Sequence, residues 1–351
     1  MGVDVTVLTP RSRTLEDYTT PFPVRRFPFM PARSMELLAE GTMKDAPVHH
    51  LAQLPPYMVS AYLHLVAGRV DVVHAHLAIP LGFMASLNPG HTPLVVTCHG
   101  SDCTLPLTRP LYRPFTRHVL RRAERVVAVS HYIEDIAIRL GAPPEKTEVI
   151  YLGVDTSKFK PSGDKAALRT EIGIPEDTLL VGTLGRLVPE KRVEDTMAAV
   201  AMVSKELDVH LLVGGDGPDR GRLEALASRL GVDGVTFLGR VADAARFHRL
   251  CDVFVLSSVS EGLSVSLQEA MASGCVPVAV NGFGCPELVR DGENGYLFEP
   301  RNVDDLAYKL LLAAGDPSPG SNARATILQR FDIDVNAARY VDLYEDVAST
   351  H

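Results

Sequence analysis

The chain has 351 residues, 46% of them hydrophobic and 22% charged, with a formal net charge of −8. That length exceeds one ordinary core and fits two domains, and the apolar content suffices to fill both. The acidic balance argues against a nucleic-acid partner, and without a run of about 18 apolar residues no helix is expected to span a membrane.

Short β-branched runs alternate with longer helix-compatible stretches from the first residues onward. The predicted strands of the first half are Val3 to Thr9, Val70 to His76, Leu94 to Cys98, Arg125 to Val129 and Thr147 to Tyr151. Those of the second half are Leu179 to Thr183, Val209 to Val213, Val235 to Leu238, Asp252 to Leu256 and Val276 to Val280. Near-continuous apolar strands alternating with helices predict parallel sheets covered on both faces. The stretch from Gly153 to Asp177, with Pro161, Gly163, Gly173 and Pro175, reads as the connection between two sheets. After Phe331 a solitary helix is expected, with Val335, Ala338, Val341 and Tyr344 on its apolar face and Asp332 or Asp334 as its cap.

Met1-Gly2-Val3-Asp4 lacks the basic and apolar regions of a signal peptide. Cys98, Cys103, Cys251, Cys275 and Cys285 are odd in number, form no Cys-x-x-Cys pair and sit in apolar contexts. They read as buried thiols of a reducing compartment, which places the protein in the cytoplasm.

In doubly wound sheets ligands bind beyond the carboxyl ends of the strands, which directs attention to four loops. Gly185-Arg186-Leu187-Val188-Pro189-Glu190-Lys191 brings a guanidinium and an ammonium toward one anion, ahead of a helix starting near Val193; the alternative is an exposed basic loop. The segment Ser258 to Glu269 sets Glu261 in a loop and Glu269 in a helix, on either side of an amino end that favours a diphosphate. Against that reading, Ser258-x-x-Glu261 and Ser266-x-x-Glu269 each match a capping box. Gly214-Gly215-Asp216-Gly217-Pro218 resembles part of a dinucleotide fingerprint, but the next glycine, Gly221, falls one residue late. It reads as a tight turn that lets a backbone or a nucleotide approach. His99-Gly100-Ser101-Asp102 follows the strand ending at Cys98, with His99 either structural or catalytic.

Together these strings resemble the family 4 glycosyltransferases, retaining enzymes of the GT-B fold. The resemblance covers Asp71 to His76, His99 to Asp102, Val126 to Ser130, Gly153-Val154-Asp155 with Phe159, and Gly185-Arg186-Leu187 with Lys191. It continues through Gly214 to Pro218, Phe237-Leu238-Gly239, Glu261 to Gly274 and Gly292-x-Asn294-Gly295. It implies an α/β fold of two Rossmann-like domains with parallel sheets facing across a cleft. The expected divisions are an acceptor-side domain over 1–153, a nucleotide-sugar domain over 154–330, and a helix over 331–351 that crosses back to the first.

The resemblance also implies roles. Arg186 and Lys191 hold the donor diphosphate, beside Gly185. Glu261 contacts hydroxyls of the transferred sugar, and Gly262, Leu263, Ser264 and Val265 bring amides near the phosphates. Glu269 binds the ribose, Arg240 and Val241 cradle the base, His99 approaches the sugar from the other domain, and Ser130 lies on the acceptor side. The anomeric configuration is retained by front-face attack, in which the leaving phosphate takes the acceptor proton. No metal or other cofactor is implied, and Asp332-Ile333-Asp334 reads as a helix cap rather than a metal motif.

The sequence departs from the family at its start, where Gly2-Val3-Asp4 stands in place of Gly-His-Glu. The first strand, its glycine-rich loop and the first helix are expected to be missing, leaving two unpaired inner edges in an incomplete N-terminal domain. Phe283 replaces the first of two glycines, and Leu263-Ser264 replaces Phe-Gly, which leaves the donor sugar open.

Arg109, Arg113, Arg117, Arg121 and Arg125 recur every four residues, with Tyr112 and Phe115 among them. The stripe is either a solvated face or a contact for anionic lipid or a lipid-phosphate acceptor. The segment Phe22 to Pro56 is left unassigned. The leading expectation is transfer of a hexose or N-acetylhexosamine from a nucleoside-diphosphate sugar to a glycan or lipid-linked acceptor. The alternatives are a catalytically impaired nucleotide-sugar-binding protein and a nucleotide-sugar epimerase.

Overall fold

In the computed structural model, residues 2–10, 22–27, 54–88, 90, 92–231 and 234–350 are described. They form two compact units: Met1–Ala128, Glu134–Val149 and Tyr340–His351 make the first, and Val129–Ile133 with Ile150–Arg339 the second. Most of the segment left unassigned between Phe22 and Pro56 lies outside the described residues.

The first unit holds strands β1 (Val7–Pro10), β2 (Val24–Phe27), β3 (Val73–His76), β4 (Leu94–Cys98), β5 (Arg125–Ala128) and β6 (Thr147–Val149). All pairing is parallel, as the apolar runs predict. β3-β4-β5-β6 form one sheet and β1-β2 another, and no ladder joins them among the described residues. The smaller sheet packs on helical residues. Phe27, Ala61 and Met84 form a buried cluster with Leu8, Met58, Tyr62 and Leu81 against it. β4 is buried at every residue, which is why its bounds were legible from composition alone. The expected strand Val3 to Thr9 begins later, because Val3 and Val5 are exposed and lie outside the ladder.

The second unit is a six-stranded parallel sheet in the order β12-β11-β10-β7-β8-β9. Its strands are β7 (Leu179–Leu184), β8 (Val209–Gly214), β9 (Val235–Gly239), β10 (Val253–Leu256), β11 (Val276–Val280) and β12 (Tyr296–Phe298). The chain starts at the centre with β7, runs outward to β9, then returns to β10 and runs out the other way. The strand order therefore reverses between β7 and β10, the place where doubly wound sheets open a crevice.

The terminal helix Ile333–Ser349 needs a correction. Its buried residues are Asn336, Leu343 and Val347, whereas Val335 is 49% exposed and Ala338 is exposed. A strict spacing of three drifts around a helix of about 3.6 residues per turn, so Val335 and Ala338 rotate away from the packed face. The end of this helix belongs to the first unit, where Tyr344 hydroxyl and His74 Nδ1 are hydrogen-bonded at 2.6 Å and Asp346 pairs with Arg125 at 2.5 Å. Asp332 acts at its start: one carboxylate oxygen accepts the Asp334 N–H at 2.9 Å and the other accepts the Thr156 hydroxyl at 2.6 Å. All five cysteines are free and buried. No helix among the described residues is long and apolar enough to cross a membrane.

Candidate active site

The loops that follow β7 and β10 leave adjacent strands at the point of reversal, so residues distant in sequence meet there. A small recess is lined by Gly185, Arg186, Leu187, Lys191, Gly214, Ser257 and Ser258, among others. Lys191 ends the short helical turn Pro189–Lys191. Its Nζ donates to Glu261 Oε1 at 2.6 Å, with the Glu261 side chain 12% exposed. The basic loop is thus not simply a solvated one. Arg186 is half-buried and lines the same recess.

The two capping-box readings do not hold. The helix Val265–Ala272 is capped by Ser264, whose hydroxyl accepts the Leu267 N–H at 3.2 Å. Ser266 instead donates to the Leu184 carbonyl at 3.0 Å, tying the first turn of this helix to the end of β7. Glu261 lies before the helix and Glu269 within it, and neither carboxylate caps it. The loop ahead of the helix is braced on two sides. Ser130, fully buried, donates its hydroxyl to the Gly262 carbonyl at 2.8 Å. Gly284 passes so close that a Cβ there would sit 2.1 Å from the Gly262 oxygen. Leu263 is buried, whereas Val265 is 43% exposed.

The glycine-rich loop after β8 makes its close approach to a backbone. Gly215 has φ +120°, and a Cβ on it would lie 1.8 Å from the Gly185 oxygen. Gly185 N–H donates to the Gly214 carbonyl at 3.0 Å, and Leu187 N–H to the Asp216 carbonyl at 2.9 Å. The loop therefore shapes the segment carrying Arg186, by a geometry that only glycine tolerates. On the far side of it, Arg240 is exposed and Val241 half-buried, with Val241 Cγ2 3.0 Å from where a Gly214 Cβ would stand.

In the first unit the loop after β4 is built on Asp102. Its buried carboxylate accepts the N–H groups of His99 (3.1 Å), Gly100 (2.9 Å) and Ala78 (2.8 Å). Burial raises the Asp102 pKa, and those donors counter the rise. Cys98, Asp102 and Cys103 bring one ligand atom each within 4.8 Å of one another, yet both carboxylate oxygens already accept backbone hydrogen bonds. His99 Nε2 and His76 Nδ1 are 2.9 Å apart, and His74 stacks on His76 at 4.4 Å. Burial, with His76 and His99 nearby, lowers His74 to about 3; burial, with His99 nearby, lowers His76 to about 4. Burial also lowers His99. The three imidazoles are neutral at pH 7.

Two residues escaped the sequence reading. Ser257 Oγ lies 2.9 Å from the carbonyls of both Lys191 and Arg192, fixing the backbone that presents the ammonium. Arg192 takes the left-handed conformation, φ 51°, and pairs with Asp195 at 2.7 Å and Glu194 at 2.9 Å. The adjacent basic residue is thereby turned away from Glu261, leaving Lys191 to it. A serine ending a strand and a second basic residue beside the first carry no signal of their own.

Family models match both halves of the chain: "Glycosyltransferase Family 4" over residues 1–158 and "Glycosyl transferases group 1" over residues 164–326. N-acetyl-alpha-D-glucosaminyl L-malate synthase of Bacillus anthracis is 29% identical over 84% of this chain and 81% of its own length. A D-inositol 3-phosphate glycosyltransferase of Streptomyces scabiei is 28% identical over 89% of this chain and 76% of its own. Among solved structures, HepE of Anabaena in complex with UDP and glucose superposes with a TM-score of 0.78 at 26% identity, covering 92% of this chain and 86% of that one. The sucrose-phosphate synthase of Thermosynechococcus elongatus shares the fold, with a TM-score of 0.84 at 21% identity over 100% of this chain and 90% of that one. Two Rossmann-like domains of parallel sheet with this architecture define a GT-B glycosyltransferase. The chain belongs to glycosyltransferase family 4.

Proposed function

We propose that this enzyme moves a hexose or N-acetylhexosamine from a nucleoside-diphosphate sugar to a glycan or lipid-linked acceptor, with retention of anomeric configuration. One observation carries the reading: Arg186 and Lys191 line a single recess where the strand order reverses, and Glu261 is ion-paired to that lysine. Two cations there face a diphosphate, the guanidinium by a two-pronged contact and the ammonium as a point charge, and both stabilise the charge that develops as the bond from the anomeric carbon to phosphate breaks. Glu261 accepts from sugar hydroxyls, and the amides of Gly262, Leu263, Ser264 and Val265 serve the phosphates. Glu269 accepts from the ribose, and Arg240 with Val241 flank the base. The leaving diphosphate takes the acceptor's hydroxyl proton as the new glycosidic bond forms, so no separate base is needed. Ser130 acts by bracing the Gly262 carbonyl, and His99 is a residue whose loss lowers transfer.

The UDP bound by HepE favours uridine as the base. The names of the two relatives, which act with L-malate and D-inositol 3-phosphate, favour a small anionic acceptor as the second arm of an acceptor screen. The test is a thermal-shift panel of nucleotide sugars, followed by product analysis by NMR with and without a chelator. An α-configured donor giving an α-linked product, undiminished by chelator, supports the reading; an inverted product or a metal requirement sinks it. Turnover of the donor without any acceptor points to the epimerase, and binding with no turnover to the impaired protein.

A peripheral membrane contact is part of the proposal. Leu111 is 77% and Phe115 44% exposed, beside the exposed Arg117, Arg121 and Arg122. Apolar side chains among cations suit an anionic headgroup layer. Flotation with vesicles containing and lacking anionic lipid tests it, and equal behaviour of the two removes it.

A further inference from the structure

His248 sits in the helix Ala244–Leu250 of the second unit and is wholly buried. Three phenylalanine rings surround it: Phe254 at 5.1 Å, Phe247 at 5.5 Å and Phe159 at 6.1 Å between centroids. Neither ring nitrogen finds a hydrogen-bond partner among the described residues. One charged group approaches, Glu269, whose Oε2 lies 3.5 Å from His248 Nε2, at the outer limit of a hydrogen bond.

An apolar pocket of this kind is filled at less cost by a phenylalanine or a leucine, because an imidazole that leaves water without replacing its hydrogen bonds loses free energy. Packing alone therefore does not account for a histidine here. Burial lowers its pKa, an effect that Glu269 opposes, so the ring is neutral at pH 7 and carries a single N–H. The Glu269 side chain is 19% exposed, reached by solvent on one side and by the imidazole on the other. A carboxylate whose inner oxygen is held can turn only its outer oxygen toward a ligand hydroxyl, as second partners orient the groups that touch a ligand elsewhere.

We propose that His248 is a positioning residue for Glu269: its Nε2–H donates to the inner carboxylate oxygen and fixes the outer one to accept from the ribose of the nucleotide. This rests on the reading of Glu269 as the ribose acceptor.

The experiment compares binding of UDP, 2′-deoxy-UDP and 3′-deoxy-UDP by calorimetry to the full chain and to four variants. The wild type is expected to prefer UDP over one deoxy analogue by about tenfold or more, the worth of a hydrogen bond to a charged group. Glu269→Ala removes that preference. His248→Phe keeps or raises the melting temperature and loses most of the preference, His248→Gln restores it by returning an N–H to the Nε2 position, and His248→Phe combined with Glu269→Ala is no worse than Glu269→Ala. A His248→Phe protein as discriminating as the wild type, beside a Glu269→Ala protein that is not, overturns the proposal. Preference intact in Glu269→Ala overturns the ribose reading itself and the role of His248 with it. Should His248→Phe not fold, His248→Asn, whose donor falls short of Nε2, replaces it: equal preference in the Asn and Gln variants overturns the proposal.

Discussion

Lys191 Nζ and Glu261 Oε1, 70 residues apart in the chain, form an ion pair at 2.6 Å that joins the loop after β7 to the loop after β10. Each holds the other where the two strands part. In the proposed function, the same pair joins the residue assigned to phosphate to the residue assigned to the sugar.

Replacing either member is expected to lower kcat/KM by about 10²- to 10³-fold, the usual cost of one group that stabilises developing charge. Because the ammonium is partly solvated, stability changes less, by about 1 kcal/mol for each single change. A double-mutant cycle with Lys191→Ala and Glu261→Gln checks both. Strictly additive losses in transfer rate would show that the two act independently.

Arg186→Lys keeps the charge but loses the planar fork. UDP binding is expected to weaken by about 1–2 kcal/mol, with a rise in donor KM, while Arg186→Ala loses more. Calorimetry with UDP and initial rates at several donor concentrations give the answer. Unaltered donor KM in Arg186→Lys would take the residue off the diphosphate.

Gly215→Ala places a methyl 1.8 Å from the Gly185 oxygen at a φ of +120°. The expected loss is about 3 kcal/mol or more, combining backbone strain with overpacking. Gly221 provides the control, since it meets no atom within 4 Å in the first turn of the helix Arg220–Leu230. Gly221→Ala is expected to be neutral or stabilising by up to about 1 kcal/mol. Urea unfolding of both variants tests the contrast, and similar midpoints would contradict it.

Ser264→Ala removes the one side-chain cap of the helix Val265–Ala272. A loss of about 1 kcal/mol is expected, with weaker donor binding because the amides of that first turn loosen. Ser266→Ala frees the Leu184 carbonyl instead, so it should perturb the β7 loop without uncapping the helix. Hydrogen exchange of residues 265–268 separates the two effects.

The stacked histidines set a direction for acid sensitivity. Burial, with neighbouring imidazoles, holds their folded pKa values below the ordinary 6.5 of histidine, at about 3 for His74 and about 4 for His76. Between about pH 6.5 and pH 4 the unfolded chain binds protons that the folded imidazoles refuse, so stability is full above that window and falls as the pH drops through it. Asp102, raised by burial, works in the opposite sense. Melting curves from pH 7.5 to 4.5 should be steeper for the wild type than for His76→Gln. Parallel curves would remove the cluster as a cause.

Much of the architecture was legible because the inner strands are buried on both faces. Leu94–Cys98 and Val276–Val280 were bounded correctly from uninterrupted apolar runs. β2 was missed because Arg25 and Arg26 break its apolar character, and β12 because three residues at a sheet edge give too short a pattern. Residue type and position after a strand singled out Arg186 and Lys191, which line the recess, and Glu261, which pairs with Lys191. Spacing could not tell which serine caps the following helix, since Ser264 and Ser266 stand two apart and only one has its hydroxyl aimed at a free amide. His248 gave no hint, lying between Phe247 and Arg249 as an ordinary helical residue. Its meaning depends on a carboxylate from another helix.

The crossings of Gly215 over Gly185 and of Gly284 over Gly262 are contacts of main chain on main chain. A side chain at Gly215 or Gly284 would meet backbone atoms there, so these two crossings fix part of the shape of each loop independently of side-chain identity elsewhere. On the donor contacts proposed above, positions 240, 241, 263 and 283 are the ones to randomise in a library aimed at another donor, with these four glycines held constant.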